Sequence, residues 1–209
     1  MQLAEILPLH KVLYLDADIV VMGNIENIFN IEISNQILAA VLNPGFARHA
    51  NLGMDADAKY FNAGIFLANL DLWRSLDIYQ KCLSYMQSNL QNIELADQDV
   101  LNAVVNGKWT AMPPRYNQQT IFFEPDFLKK YTGISPPELD LTLHSPVIVH
   151  FTGSSKPWQF MCRHPFKAQY WKFLLKTPFF PYVPDDLTLV NFFKLIVPMS
   201  LIRFLKNID

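Results

Sequence analysis

Lys11-Val12-Leu13-Tyr14-Leu15-Asp16-Ala17-Asp18 decides how the rest of the chain is read. Val12 to Leu15 is an unbroken apolar run, too short for a helix and lacking the alternation of a strand with one wet face. Such a run fits a strand buried on both sides, the kind found inside α/β sheets. It stops abruptly at two carboxylates one residue apart. Grouping Asp16 and Asp18 at a buried strand end is costly unless a cation neutralises them. Mg²⁺ or Mn²⁺ would suit, since these hard ions take oxygen donors and keep positions open for phosphate oxygens. Two solvated aspartates at a polar strand end are the plainer reading of the same residues.

Outward from this stretch, Ile19-Val20-Val21 resumes the apolar character before a turn at Gly23-Asn24. Ile37 to Leu42 reads as a second buried strand, closed by Asn43-Pro44-Gly45, and Phe61 to Leu67 as a third, with Asn62-Ala63-Gly64 inside it. Helical spacing follows. Leu72, Leu76, Tyr79, Leu83 and Met86 recur at steps of four and three, with Asn69 or Asp71 available as N-cap. Asp97 to Asn106 predicts a shorter helix stopped by Gly107. The Pro-rich stretch Gly133 to Pro146 reads as irregular, Pro146 to Phe151 as a last buried strand, and Pro165 as the first turn of a helix running to about Lys176. The sum is an α/β fold with a mixed, mainly parallel sheet covered by helices on both faces, its functional residues at strand ends.

With 209 residues, 51% of them hydrophobic and 17% charged, the chain can bury one ordinary core. A formal net charge of -2 gives no reason to expect nucleic acid. Cys82 and Cys162 make no disulfide framework. Met1 to His10 lacks the features of a signal segment. The apolar stretch Leu189 to Leu205 is broken by Asn191, Lys194, Pro198 and Arg203, so it is a poor spanning helix. The chain reads as cytoplasmic, with peripheral contact to the inner face of the cytoplasmic membrane through residues 189–206, where Lys194, Arg203 and Lys206 lie among Phe and Leu. A final helix packed on the core is the alternative.

A second constellation is His150-Phe151-Thr152-Gly153-Ser154-Ser155-Lys156-Pro157-Trp158. A lone histidine at a strand end is commonly a hydrogen-bonded structural residue. Here it enters a loop in which Gly153 permits close backbone approach and Lys156 supplies a point charge for phosphate. One imidazole with two carboxylates would suit Mn²⁺. Asn62-Ala63-Gly64 and Asp97-Gln98-Asp99 offer the amides and carboxylates that read sugar hydroxyls. By composition alone the better reading of both is the plain one, a satisfied buried strand and a helix start whose acids favour the dipole.

Four segments, in order, change that balance. Lys11 to Asp18 resembles the metal-binding signature of family-8 glycosyltransferases, the group of the bacterial lipopolysaccharide galactosyl- and glucosyltransferases. Tyr60-Phe61-Asn62-Ala63-Gly64-Ile65-Phe66-Leu67 resembles the family strand that meets the donor sugar. Ala96-Asp97-Gln98-Asp99-Val100-Leu101-Asn102 resembles its helix start with an Asp-Gln pair, and His150 to Trp158 the segment supplying a third metal ligand and a phosphate lysine. The resemblance covers roughly residues 8 to 175. It implies a GT-A (Rossmann-like) fold and a retaining transfer of hexose from a UDP-hexose donor to an oligosaccharide or lipid-linked saccharide acceptor, such as lipopolysaccharide core. Asp16, Asp18 and His150 would hold Mn²⁺ or Mg²⁺; Asn62, Ala63, Gly64, Gly153 and Lys156 would bind substrate; Asp97 and Gln98 would serve catalysis. Asn43 stands where some relatives carry an acid.

On this reading residues 1–184 form a partial catalytic core and 185–209 an apolar, basic tail. The Asp-x-Asp strand starts about a dozen residues from Met1, too few for the strand-helix-strand unit of roughly thirty residues that holds uracil and ribose in the family. An N-terminally truncated sheet with weak UDP-sugar affinity and a tendency to self-association is therefore expected. Two other readings stand beside it. One is a binding protein that keeps the fold without the chemistry. The other is a haloacid-dehalogenase-like phosphatase, whose nucleophile also follows an apolar strand; no Gly here precedes Asp, as that family's late motif requires.

Overall fold

The computed structural model describes residues 1–124, 126–127 and 133–196. The chain divides into two compact units, Met1–His150 and Phe151–Asp209. The elements of the first unit that matter here are α1 (Leu3–Ile6), β1 (Lys11–Leu15), β2 (Ile19–Val21), α2 (Glu26–Phe29), β3 (Leu38–Leu42), β4 (Phe61–Asn69), α3 (Leu70–Ser75), α4 (Ile78–Asn89), α5 (Ala96–Val105), β5 (Trp109–Ala111), β6 (Gln118–Gln119), α6 (Pro136–His144) and β7 (Ile148–His150).

Two sheets carry the unit, one in the order β1-β4-β3-β5 and one in the order β2-β7-β6. β4 is the axis of the first, and its residues from Phe61 to Ala68 are all buried. Side chains along β3 and β4 serve two cores. Leu38, Ala40, Phe66 and Ala68 pack with Trp73, Ile78, Val100 and Leu101 from α3, α4 and α5. Ala39, Val41, Ile65 and Leu67 pack with Ile28, Ile33, Met112 and Ile148. The unbroken apolar runs thus arise because both faces are covered, as expected for such strands.

Pairing direction departs from the expectation. β4 runs antiparallel to both β1 and β3, and β2 antiparallel to β7; only β3–β5 and β6–β7 are parallel among the described strands. The sheet is mixed as predicted but not mainly parallel. An apolar run reports burial on two faces, and burial carries no information on which way the neighbour points.

β4 also carries an irregularity. Leu42 pairs with Phe61 and Ala40 with Phe66, so β4 uses five residue steps where β3 uses two. The surplus lies at Asn62 to Ile65. It also switches the parity of β4, since Phe61 and Ala63 share a core with Phe66 and Ala68. Bulges re-aim side chains in this way beside functional sites.

The helices show two further differences. The predicted helix from Leu72 to Met86 is two, α3 and α4, parted where Asp77 adopts a left-handed conformation (φ 54°). Asn69 caps α3, its side chain accepting from the Leu72 N–H at 3.1 Å. The Pro-rich stretch expected to be irregular contains α6. Pro136 and Pro137 occupy its first turn, where a missing N–H costs nothing, and Ser135 accepts from the Glu138 N–H. α5 ends as predicted, with Asn106 and Gly107 at positive φ.

The second unit contains α7 (Lys167–Leu174) and α8 (Leu189–Ile196). Pro165 precedes α7 by two residues instead of opening it. α8 exposes Leu189, Val190, Phe192 and Phe193. Residues 197–206 of the expected membrane-contacting segment lie outside the described residues. No helix among the described residues is long and apolar enough to cross a membrane.

Candidate active site

Asp16 follows β1 directly, and its N–H donates to the Gly64 carbonyl at 2.8 Å, which ties it to the β4 bulge. Tyr14 stacks on Phe66 with centroids 4.9 Å apart and donates its hydroxyl to Asp16 Oδ1 at 2.9 Å. Asp18 precedes β2, whose Ile19 pairs with His150 at the end of β7. Strand pairing therefore brings His150, distant in sequence, to the Asp16 and Asp18 pair. His150 Nε2 lies 3.3 Å from Asp18 Oδ1 and 3.8 Å from Asp16 Oδ2, and one donor atom from each residue falls within 4.8 Å of the others.

The electrostatics mark the site as short of positive charge. Burial holds the Asp16 carboxyl above the ordinary carboxylate range; Asp18 and Asp97 add to this, while the Tyr14 hydroxyl and His150 oppose it. Burial, together with the Asp16 hydrogen bond and the charges around it, pushes the Tyr14 phenol up to about 12. A divalent cation would reverse both pressures at once.

Gly64 shows that the space among these donors is kept open. A Cβ there would sit 2.7 Å from Asp16 Oδ2 and 3.0 Å from His150 Nε2, and closer still to Cε1 of that ring. Its φ is unremarkable, so the requirement for glycine is room and not backbone freedom. Two carboxylates and an imidazole, gathered around a gap that one methyl group would fill, fit a hard divalent cation. His150 is only 3% exposed, and its Nδ1 is 2.9 Å from Asn117 Oδ1, which aims Nε2 at the carboxylates.

The bulge links this centre to α5. Asn62 Oδ1 accepts from the Gly64 N–H at 3.1 Å and from Asn117 Nδ2 at 2.9 Å. Asn62 Nδ2 and the Ala63 N–H both donate to Gln98 Oε1, at 3.1 and 3.0 Å. Gln98 Nε2 donates to the Tyr60 hydroxyl at 3.3 Å, which donates to Asp99 Oδ1 at 2.6 Å. Asp99 is fully buried, and desolvation alone would raise its pKa. It is instead held below the ordinary range, because the Leu95 N–H, the Tyr60 hydroxyl, the Glu94 N–H and Arg48 together outweigh that cost. Asp97 is exposed in the first turn of α5, near enough for its charge to raise Asp16 and Tyr14.

Asp16, Asp18, His150, Asn62, Ala63, Gly64 and Gln98 thus converge. Gly153 and Lys156 belong to the second unit. There Gly153 has φ +85°, and the Lys156 ammonium donates to the Phe151 carbonyl at 2.8 Å. Sequence reasoning did not single out Tyr14, Arg48, Tyr60 or Asn117, and it offered Asp99 as a sugar contact where it is buried beneath Tyr60 and Arg48. The signal available for Asn117 was three successive amides, Asn117-Gln118-Gln119, just after an apolar aromatic; all three are buried.

Residues 1–162 match the model described as Glycosyl transferase family 8. The chain is similar to General stress protein A of Bacillus subtilis (strain 168), 29% identical over 170 residues that cover 80% of this chain and 59% of that protein. It is likewise similar to the Lipopolysaccharide 1,2-glucosyltransferase of Escherichia coli (strain K12), 29% identical over 174 residues covering 81% and 50%. The chain therefore spans about half the length of these relatives. In fold it matches galactosyltransferase LgtC, solved with donor and acceptor sugar analogs, with a TM-score of 0.74 at 24% identity over 88% of this chain and 67% of that one. The architecture is the expected mixed α/β GT-A fold, which leaves no place for the phosphatase reading.

Proposed function

Because this chain belongs to glycosyltransferase family 8, we propose that it forms the catalytic core of a retaining hexosyltransferase that uses a UDP-hexose and a divalent cation, Mn²⁺ or Mg²⁺. The acceptor would be a saccharide of lipopolysaccharide core or a similar surface glycan, in keeping with the name of the Escherichia coli relative. The observation that carries this reading is the convergence of Asp16, Asp18 and His150 around the gap left by Gly64.

When bound there, the cation supplies Lewis-acid neutralisation of the nucleotide diphosphate. Asp16 and Asp18 offer oxygens to it, and His150 offers Nε2. Gly153 and Lys156 are assigned to the departing diphosphate on their chemistry, a left-handed glycine and a point charge. Asn62, Ala63, Gly64 and Gln98 are assigned to the donor sugar. Gln98 or Asp97 would steady the anomeric carbon as it gains positive character, and the acceptor hydroxyl would enter on the face the diphosphate leaves. Residues 1–184 would make up the core. The tail from 185 would rest on the cytoplasmic face of an anionic membrane, a reading supported by the exposed Phe192 and Phe193 of α8 beside Lys194. β1 lies at an edge of its sheet, which supports self-association.

The test is a donor screen with UDP-glucose, UDP-galactose and their N-acetyl forms, reading UDP release with Mn²⁺, with EDTA and in Asp18→Ala. Slow release from one donor that EDTA and the substitution abolish is expected. Turnover indifferent to EDTA would refute the metal assignment, and the absence of release from every donor would favour a protein that only binds.

A further inference from the structure

The hydrogen bonds linking the metal-ligand candidates to α5 have a fixed direction, and that direction reaches His150. Amide side chains can be turned end for end, so such a chain ordinarily has two polarities. Here two main-chain N–H groups, which can only donate, remove the choice. The Gly64 N–H at 3.1 Å makes the facing atom of Asn62 its oxygen. The Ala63 N–H at 3.0 Å does the same for Gln98. Asn62 must then donate through Nδ2 to Gln98, and Gln98 through Nε2 to the Tyr60 hydroxyl. Tyr60 passes its proton toward Asp99 Oδ1, an acceptor-only group that closes the series.

The same logic runs the other way from Asn62. Its oxygen also faces Asn117 at 2.9 Å, so Asn117 presents its NH₂ to Asn62 and its oxygen to His150 Nδ1, again at 2.9 Å. Asn117 is fully buried and cannot exchange these partners for water. An imidazole nitrogen facing a carbonyl oxygen at that distance must carry the proton. We infer that Asn117 is the positioning residue of the cation site: it holds hydrogen on His150 Nδ1, so that Nε2, which faces Asp16 and Asp18, is the nitrogen left to take a cation. This rests on the assignment of His150 as a ligand. It adds that the ligand is prepared before any cation arrives, and that the preparation starts from the main chain of the β4 bulge. The histidine is thereby spared the choice of tautomer that a free imidazole makes on binding.

Long-range ¹H–¹⁵N correlation spectra of the cation-free full-length chain, with His150 assigned by its loss in His150→Gln, report which ring nitrogen bears hydrogen. Hydrogen on Nδ1 of the wild type is expected, whether or not Nε2 also bears one; a ring with hydrogen on Nε2 alone would overturn the inference, whatever the protein does with metals. Mn²⁺ titration followed by paramagnetic resonance of the free ion gives the second reading. Asn117→Leu removes the acceptor and should bind Mn²⁺ about 10–100-fold more weakly, the usual effect of losing such an outer partner, with hydrogen no longer held on Nδ1. Asn117→Asp still accepts from Nδ1–H but loses the donor to Asn62, and should bind Mn²⁺ more tightly than Asn117→Leu. Equal affinity in Asn117→Leu and wild type would overturn the positioning role. A wild-type chain that binds no Mn²⁺ would defeat the ligand assignment itself, a result separable from the tautomer, which is read without metal.

Discussion

Replacing Gly64 with alanine should separate the site from the fold. The added Cβ would lie 2.7 Å from Asp16 Oδ2, where ordinary contact begins at 3.4 Å, so that oxygen must retreat by about 0.7 Å. The His150 ring must move further, and it is wedged: β7 holds its backbone against Ile19, and Asn117 holds its Nδ1. Displacements near 1 Å of groups that must act together cost on the order of 100-fold in rate. Overpacking a buried position by one methyl typically costs about 1–3 kcal/mol, and partly exposed Asp16 can yield some of that space toward solvent. The expected result is a folded protein, its melting temperature lowered by a few degrees, with Mn²⁺ affinity and UDP release reduced by about 100-fold or more. Calorimetric Mn²⁺ titration beside thermal melts reads both quantities. Wild-type affinity in Gly64→Ala would refute the claim that this gap is the cation's place.

Asp16→Asn should abolish Mn²⁺ binding and leave the cation-free chain at least as stable as wild type, because burial already holds that carboxyl above its ordinary range; a clear fall in melting temperature would show that Asp16 is structural. Asp77→Gly should stabilise the protein by about 0.5–1 kcal/mol in urea titrations, since Asp77 is held at φ 54° with no side-chain cap bond in return. His164 gives a pH signature. Burial pushes its imidazole down to about 4 from 6.5. Its folded pKa is thus below its unfolded one, so its contribution is full above pH 6.5 and is lost as pH falls toward 4. Unfolding free energy should drop by up to about 2 kcal/mol between pH 7.5 and 5, and a His164→Phe variant should lack that component of the drop.

What the sequence made legible was local. Val12 to Leu15 announced a strand covered on both sides, because double burial removes alternation from the strand itself. Asn69 and Gly107 announced helix ends, because caps act within one turn. The ordered motifs delivered Asp16, Asp18, His150, Asn62 and Gln98 to one neighbourhood. Strand direction was not legible, since the reversal of β4 against β1 and β3 is a property of partners. The helical period ran on across Leu76 because one left-handed residue, Asp77, breaks a helix without disturbing the spacing of its apolar side chains. Pro136 and Pro137 were read as breakers when their place in a first turn made them initiators. Asn117 left no mark on any period: its importance lies in two bonds to residues 55 and 33 positions away.

The five-for-two irregularity in β4 bears on how this protein can change. Slack taken up between Phe61 and Phe66 is absorbed locally, so the ladders on either side keep their own phase. A residue gained or lost within that slack would leave the register of the flanking buried ladders unchanged, a tolerance that an ordinary central strand does not have. Length can thus vary at this one point beside the Asp16, Asp18 and His150 cluster while the β-sheet around it is inherited intact.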